Sequence, residues 1–231
     1  MRIGILAHSF SQAFTLYKSI ADGHEVFLIL SPSPNRSPWT SYFANVARIV
    51  ETTLKKFDPN PLKLFVTRRL LQLRRPLHHQ HSVEKLKKLN LDVGLHKAGV
   101  IYRDVTINAF RLGILNHHIG ILPAYRGRSV MEWSILQGDP VGITVFFIDN
   151  GIDTGSRILF TEHVDISRFS SISEAKQYLF SLDKVFFPKA LELINDSART
   201  FQLNDGSGRR YFVMSKLFEG VVEQLVSTVT R

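Results

Sequence analysis

The sequence predicts an α/β fold with a mostly parallel sheet flanked by helices. The first thirty residues read strand, helix, strand, the pattern of a parallel crossover unit, and the same alternation resumes after residue 91. The chain also has the means to bury a full core, with 231 residues, 44% of them hydrophobic and 21% charged.

Arg2–Ala7 is a short apolar run suited to a buried strand; residues 11–21 follow as a helix and 24–30 as a second strand. His8-Ser9-Phe10-Ser11 lies where a phosphate-binding turn could sit, with Ser9 or Ser11 as helix cap. No glycine-rich fingerprint accompanies it, so dinucleotide binding is unsupported. Residues 31–38, rich in Ser, Pro and Asn, form a loop. Basic amphipathic helices follow at 39–56, 62–73 and 83–89, punctuated by Pro59, Pro61 and Pro76. His78, His79 and His81 lack acids or cysteines at ligand spacing and are read as a polar loop, not a metal site. Past residue 91 come a strand at 92–95, a short helix at 103–110, a strand at 113–117 and a helix over 130–136. Residues 142–148 and 157–164 form a hairpin around Asp149-Asn150-Gly151. A long helix at 171–193, capped by Ser171 or Ser173, precedes a turn at Asp205-Gly206-Ser207-Gly208, a short strand, and an amphipathic helix at 216–226. There is no internal repeat.

The absence of cysteine excludes disulfides and thiolate chemistry. No apolar run approaches the roughly 18 residues of a membrane span, and the N-terminus lacks a signal-peptide pattern, so the sequence reading expects a cytoplasmic protein with no membrane partner. The net charge of +9 is uneven: residues 51–90 hold ten Lys or Arg against Glu51, Asp58 and Glu84, a net +7. Either an anionic partner or a solvated helical surface accounts for it. Nucleic acid is not favoured, because only Phe57 and Phe65 offer stacking rings among those charges.

The most specific signal lies in residues 116–155. Asn116-His117-His118 leads into Ile121-Leu122-Pro123-Ala124-Tyr125-Arg126-Gly127, and Asp153-Thr154-Gly155 follows about one hairpin later. Asn116 and His118 are two apart, so on a strand they share a face. An amide, an imidazole and a carboxylate meeting at one point are the parts for moving protons around a developing oxyanion. His117 points to the opposite face and reads as structural.

This order and spacing resemble the folate-dependent formyltransferase family, which includes glycinamide ribonucleotide, methionyl-tRNA and amino-sugar formyltransferases. The resemblance implies a Rossmann-like catalytic domain over residues 1–195, carrying a basic helical insertion at about 39–90, with 196–231 as a C-terminal extension. It implies transfer of a formyl group from 10-formyltetrahydrofolate, without a metal, to an amine; the basic segment and the short tail favour a small amine on an anionic carrier, such as a nucleotide-linked amino sugar. Asn116, His118 and Asp153 would be the catalytic residues. Lys97-Ala98-Gly99-Val100-Ile101 and Asp149-Asn150-Gly151-Ile152 would line the pterin pocket with backbone groups, and Arg126 would be an ion-pairing brace. Three departures from the family pattern stand out. Ile119-Gly120 replaces Pro-Ser, Phe146 replaces a histidine, and the glycine-rich turn near the N-terminus is missing, which puts glycinamide ribonucleotide in doubt. Methionyl-tRNA formyltransferases carry an OB-like module after the catalytic domain, for which the 36 residues past 195 are too few. Two other readings remain. One is a formyltetrahydrofolate hydrolase, whose N-terminal regulatory domain has no counterpart before Arg2; the other is a non-catalytic RNA- or partner-binding protein on the same core. The sequence does not speak to the oligomeric state.

Overall fold

The structure, a computed structural model, describes residues 1–34, 37–56, 58–196, 198 and 200–229, with Thr228 and Val229 described by backbone alone. Phe57, one of the two rings considered for stacking, lies outside the described residues. The chain divides into two compact units, Met1–Leu115 and Asn116–Arg231.

In the first unit the strands are β1 (Arg2–Ala7), β2 (Glu25–Leu30), β3 (Leu70–Gln72), β4 (Leu91–His96) and the start of β5 (Phe110–His118). They run parallel in the order β3-β2-β1-β4-β5. Ile3, Ile5, Leu6, Leu28, Ile29, Leu30, Val93 and Leu95 are fully buried. Strands covered on both faces have no reason to alternate polar with apolar, which explains the unbroken apolar runs. The helices are α1 (Phe10–Ile20), α2 (Pro38–Lys55), α3 (Asn60–Val66), α4 (Gln80–Lys88) and α5 (Asp104–Ile107). Ser9 caps α1 by accepting the Gln12 N–H at 3.3 Å, and Ser37 caps α2 by accepting that of Thr40 at 3.1 Å. His79 caps α4, its Nδ1 accepting the His81 N–H at 3.2 Å. That bond gives one of the clustered histidines a structural role.

Two expectations fail here. The helix expected over 62–73 ends at Val66, because Arg68 turns left-handed at φ 57°; Leu70, Leu71 and Gln72 then pair with Leu28, Ile29 and Leu30 as β3. The helix expected over 103–110 is a single turn, and Phe110 already belongs to β5.

The second unit contains β6 (Tyr125–Gly127), α6 (Val130–Gln137), β7 (Gly142–Phe147), β8 (Arg157–His163), α7 (Ile172–Ser181), α8 (Asp183–Asn195), β9 (Gln202–Leu203), β10 (Arg209–Tyr211) and α9 (Lys216–Val229). The hairpin expected at 142–164 is present, with β7 antiparallel to β8 and Gly142 opposite His163; β9 adds to β8. The helix expected over 171–193 is two helices, broken at Leu182, where backbone bonding from Leu182 and Phe186 restarts the turn. β10 pairs parallel with β6, placing Arg209, Arg210 and Tyr211 beside Tyr125, Arg126 and Gly127. Met214, Val222 and Val226 then pack on Trp133, Ile135, Leu136 and Ile172. The segment after residue 200 is therefore built into the unit that holds the signature residues. Among the described residues no helix is long and apolar enough to cross a membrane.

Candidate active site

The end of β5 sets the first two side chains of the motif. The Asn116 side chain is half-buried, and its amide has no hydrogen-bond partner among the described residues. His117 faces the other way, its ring centroid 5.8 Å from Phe186 and 6.1 Å from Phe187 of α8. His118 returns to the face of Asn116 and is buried.

Backbone close to the ring holds His118 in place. The Tyr125 carbonyl, 2.8 Å from Nε2, can only accept, so Nε2 carries a proton and donates it there. Nδ1 faces the Asp153 carboxylate, 3.6 Å from Oδ1. Phe146 meets the ring edge-on at 6.4 Å, so the departure from histidine at that position supplies an apolar wall. Gly120 explains a second departure: a Cβ there would lie 2.8 Å from His118 Nε2 and 3.0 Å from the Tyr125 oxygen. Only a residue without a side chain lets the ring reach that carbonyl.

Asp153 is fixed from several sides. Its backbone is left-handed at φ 52°, a conformation that Asp tolerates better than most residues. Oδ2 accepts the Gly127 N–H at 2.9 Å, which leaves Oδ1 for the histidine. The buried Asn204 amide donates to the Asp153 carbonyl at 3.1 Å and the Gly155 carbonyl at 3.2 Å, while its oxygen accepts the Gly206 N–H. A Cβ at Gly155 would lie 1.8 Å from the Phe147 carbonyl oxygen, so the turn closes this tightly only with glycine.

The Pro123–Gly127 stretch, which follows a cis Leu122-Pro123 bond, is pinned to the tail. Arg126 donates from Nε at 2.9 Å and from Nη2 at 2.6 Å to the Gly208 carbonyl. Its bracing therefore runs through backbone as well as charge: hydrogen bonds from Ser207, with the Arg126 charge adding, draw the Asp205 carboxyl below its usual range. Tyr125 stacks on Tyr211 at 5.2 Å and donates its hydroxyl to Asp139. Burial, and then the Asp139 carboxylate, push that phenol above its ordinary pKa.

The two loops expected to read a pterin take different forms. In 149–153 the Asp149 carboxylate accepts the Gly151 N–H at 2.9 Å and the Thr154 hydroxyl at 2.7 Å. Asp149 Oδ1 is thus committed inside the turn, and the loop offers a ligand its backbone. In the first unit, Gly99 is left-handed with open space where a Cβ would stand, Ala98 is buried, and Ile101 is 68% exposed. Among the described residues no His, Cys, Asp or Glu cluster could hold a metal ion.

A family model described as formyl transferase matches residues 43–191. The chain belongs to the formyl transferase family. It is 31% identical over 182 residues to the methionyl-tRNA formyltransferase of Borrelia hermsii, covering 78% of this chain and 54% of that protein. To the methionyl-tRNA formyltransferase of Clostridioides difficile it is 29% identical over 146 residues, 62% of this chain and 47% of that one. The chain thus spans about half the length of the curated relatives it matches. Among solved formyl transferase structures, a sugar N-formyltransferase from Shewanella superposes with a TM-score of 0.61 at 17% identity, covering 98% of this chain and 87% of that one. The phosphoribosylglycinamide formyltransferase of Bacillus halodurans gives 0.60 at 20% identity, with coverages of 86% and 97%. These likenesses show the fold, a mostly parallel sheet flanked by helices. The sequence singled out Gly120 and placed Gly208 in a turn but assigned neither a structural role, and it passed over Asn204, because these roles depend on which backbone approaches them.

Proposed function

We propose that the protein transfers the formyl group of 10-formyltetrahydrofolate to an amine on an anionic carrier, with a nucleotide-linked amino sugar as the first candidate. The observation that carries this reading is the site within the second unit. There an uncommitted Asn116 amide sits two residues from His118, and His118 Nδ1 lies 3.6 Å from Asp153. A neutral amine nitrogen attacks the formyl carbon, and the carbonyl oxygen becomes negative. Asn116 donates to that oxygen, an interaction worth about 3–4 kcal/mol in comparable sites. His118, held by the Tyr125 carbonyl and by Asp153, stands on the same strand face as that amide. One proton leaves the attacking nitrogen as the new C–N bond forms. Asp153 and His118 pass it, through water, to the folate nitrogen as its bond to the formyl carbon breaks, so atoms and charge balance. Formyltetrahydrofolate brings the activated one-carbon unit, and backbone groups of 149–152, in the same unit as the three side chains, would meet its pterin. Residues 1–195 form the catalytic part in this reading, and 196–231 an extension that braces its loops.

Two observations bear on the acceptor. An Anoxybacillus formyltransferase of the same fold, TM-score 0.58 at 15% identity, was solved with a UDP-linked formamido sugar and tetrahydrofolate. The basic residues of 51–90 suit an anionic carrier of that kind. The curated sequence relatives favour a second reading, methionyl-tRNA as acceptor. One experiment separates them: formyltetrahydrofolate is mixed with a panel of amino-sugar nucleotides or with methionyl-tRNA, and tetrahydrofolate release is followed. Turnover with a sugar nucleotide alone supports the first reading, and turnover with methionyl-tRNA alone replaces it. Release without any amine would make the protein a hydrolase; neither release nor folate binding would end the assignment.

A further inference from the structure

In α2 the usual arrangement of a surface helix is reversed. Trp39, Phe43, Val46, Val50 and Leu54 follow one another at steps of four, three, four and four residues, within roughly 80° of the helix circumference. All five are exposed, Phe43 at 64% and Leu54 at 67%. The opposite side buries polar side chains instead, Ser41 at 6% and Asn45 at 4% exposure. Asn45 fixes this orientation: its oxygen accepts the Phe10 N–H of α1 at 2.9 Å. Rolling the helix to hide its apolar stripe would leave that buried donor unsatisfied. The next helix, α3, adds Phe65, 65% exposed. An apolar face of this extent, held outward by polar bonds underneath, is a surface built to be covered.

Charge identifies what covers it. Arg74 lies over the Trp39 ring at 5.4 Å, at one end of the stripe, and Lys55 and Lys56 follow Leu54 directly at the other. Of the acids nearby, Glu51 is paired with Arg48 and Asp58 with Lys18. A second copy of the chain would set this excess of positive charge against itself, and the aliphatic Val46, Val50 and Leu54 give nothing to a nucleic acid. Anionic lipid complements both features, apolar side chains entering the acyl boundary while Lys and Arg meet the headgroups.

We propose that α2 and α3 dock the protein, as a peripheral and reversible contact, on an anionic bilayer surface. The expectation of no membrane partner came from the lack of a spanning segment; lying on a membrane requires only one amphipathic face. The proposal is independent of the formyl transfer reading.

The test is flotation of the full chain with vesicles of phosphatidylcholine, or of equal parts phosphatidylcholine and phosphatidylglycerol. Binding is expected only to the second kind, with release as salt rises to about 0.5 M. Phe43→Asp with Leu54→Asp should lower binding about tenfold or more. Lys55→Glu with Lys56→Glu, which leaves the apolar stripe alone, should do likewise. Phe180→Asp, an exposed apolar residue of α7, should change nothing. Trp39 emission should shift to the blue on the anionic vesicles, a change absent from Trp39→Phe. No binding to anionic vesicles at low salt would overturn the proposal, as would binding indifferent to the Phe43 and Leu54 changes. A lipid-free dimer, or an RNA complex, that those two changes abolish would instead assign the face to that partner and sink the membrane reading.

Discussion

Gly120→Ala tests the placement of the candidate catalytic histidine more directly than removing the histidine would. The added Cβ would lie 2.8 Å from His118 Nε2, 2.9 Å from Val130 Cγ2 and 3.0 Å from the Tyr125 carbonyl oxygen. None of these neighbours yields easily, since Val130 is buried, Tyr125 O is backbone, and Phe146 stands edge-on to the imidazole. Overpacking of this kind costs about 1–3 kcal/mol, and losing the hydrogen bond from Nε2 to Tyr125 costs about 0.5–1.5 kcal/mol more. A loss of roughly 2–4 kcal/mol corresponds to a fall in Tm of about 5–15 °C for a chain of this size. Calorimetry measures it, with Gly220→Ala as the control: that exposed position in α9 has nothing within 4 Å of a new Cβ, so alanine should stabilise by about 0.5–1 kcal/mol. Tetrahydrofolate release should also slow in Gly120→Ala, with kcat affected more than KM, because the shifted ring no longer meets Asp153. Unchanged melting and turnover in Gly120→Ala would show that the ring does not rest against Gly120 and Tyr125.

Asp153→Asn should keep the fold, since an amide oxygen can still accept the Gly127 N–H, but cut turnover by about two to four orders of magnitude; near-normal rates would remove Asp153 from the site. Asn204→Ala strips the donors from the Asp153 and Gly155 carbonyls, and should cost about 2–4 kcal/mol and lower kcat with KM little changed; a variant that melts and turns over like the parent would refute its positioning role. Asp92→Asn tests pH linkage. Burial alone would raise the Asp92 carboxyl, but the Arg2 N–H at 2.8 Å and Arg111 Nε at 2.7 Å outweigh it and hold it below the usual carboxylate value. Its contribution is therefore present above about pH 4 and lost as pH falls through the native value. Urea melts should show the variant weaker at neutral pH and the gap closing in acid; a gap independent of pH would count against this.

The sequence was most legible where physics acts locally. Arg2–Ala7 and Glu25–Leu30 could be read as buried strands because continuous apolar runs have few alternatives at that length, and β7 with β8 because a turn separates two β-branched stretches. The failures share a cause. Leu70-Leu71-Gln72 continues a helical pattern by composition, and only pairing with Leu28–Leu30 of a distant strand makes it β3. Asn116 and His118 could be found from spacing, since a period of two fixes their common face. Asn204 could not: an Asn before Asp205-Gly206 reads as a turn former, and nothing local announces that its amide closes on Asp153 some fifty residues earlier.

That hidden contact explains how a site on loops can be ordered. Holding one backbone residue in a single conformation costs about 1–2 kcal/mol, and Asp153 adds the strain of a left-handed turn. A single histidine–carboxylate contact at 3.6 Å could not offset this for the whole turn. Order comes instead from bonds around the turn: Asn204 on the Asp153 and Gly155 carbonyls, Gly127 N–H on Asp153, Arg126 on Gly208, and β10 along β6. Gly127 links the two halves of this arrangement, since its N–H holds the carboxylate and its strand pairs with the tail. The tail therefore belongs to the site's geometry even though it contributes none of the three side chains proposed to do the chemistry.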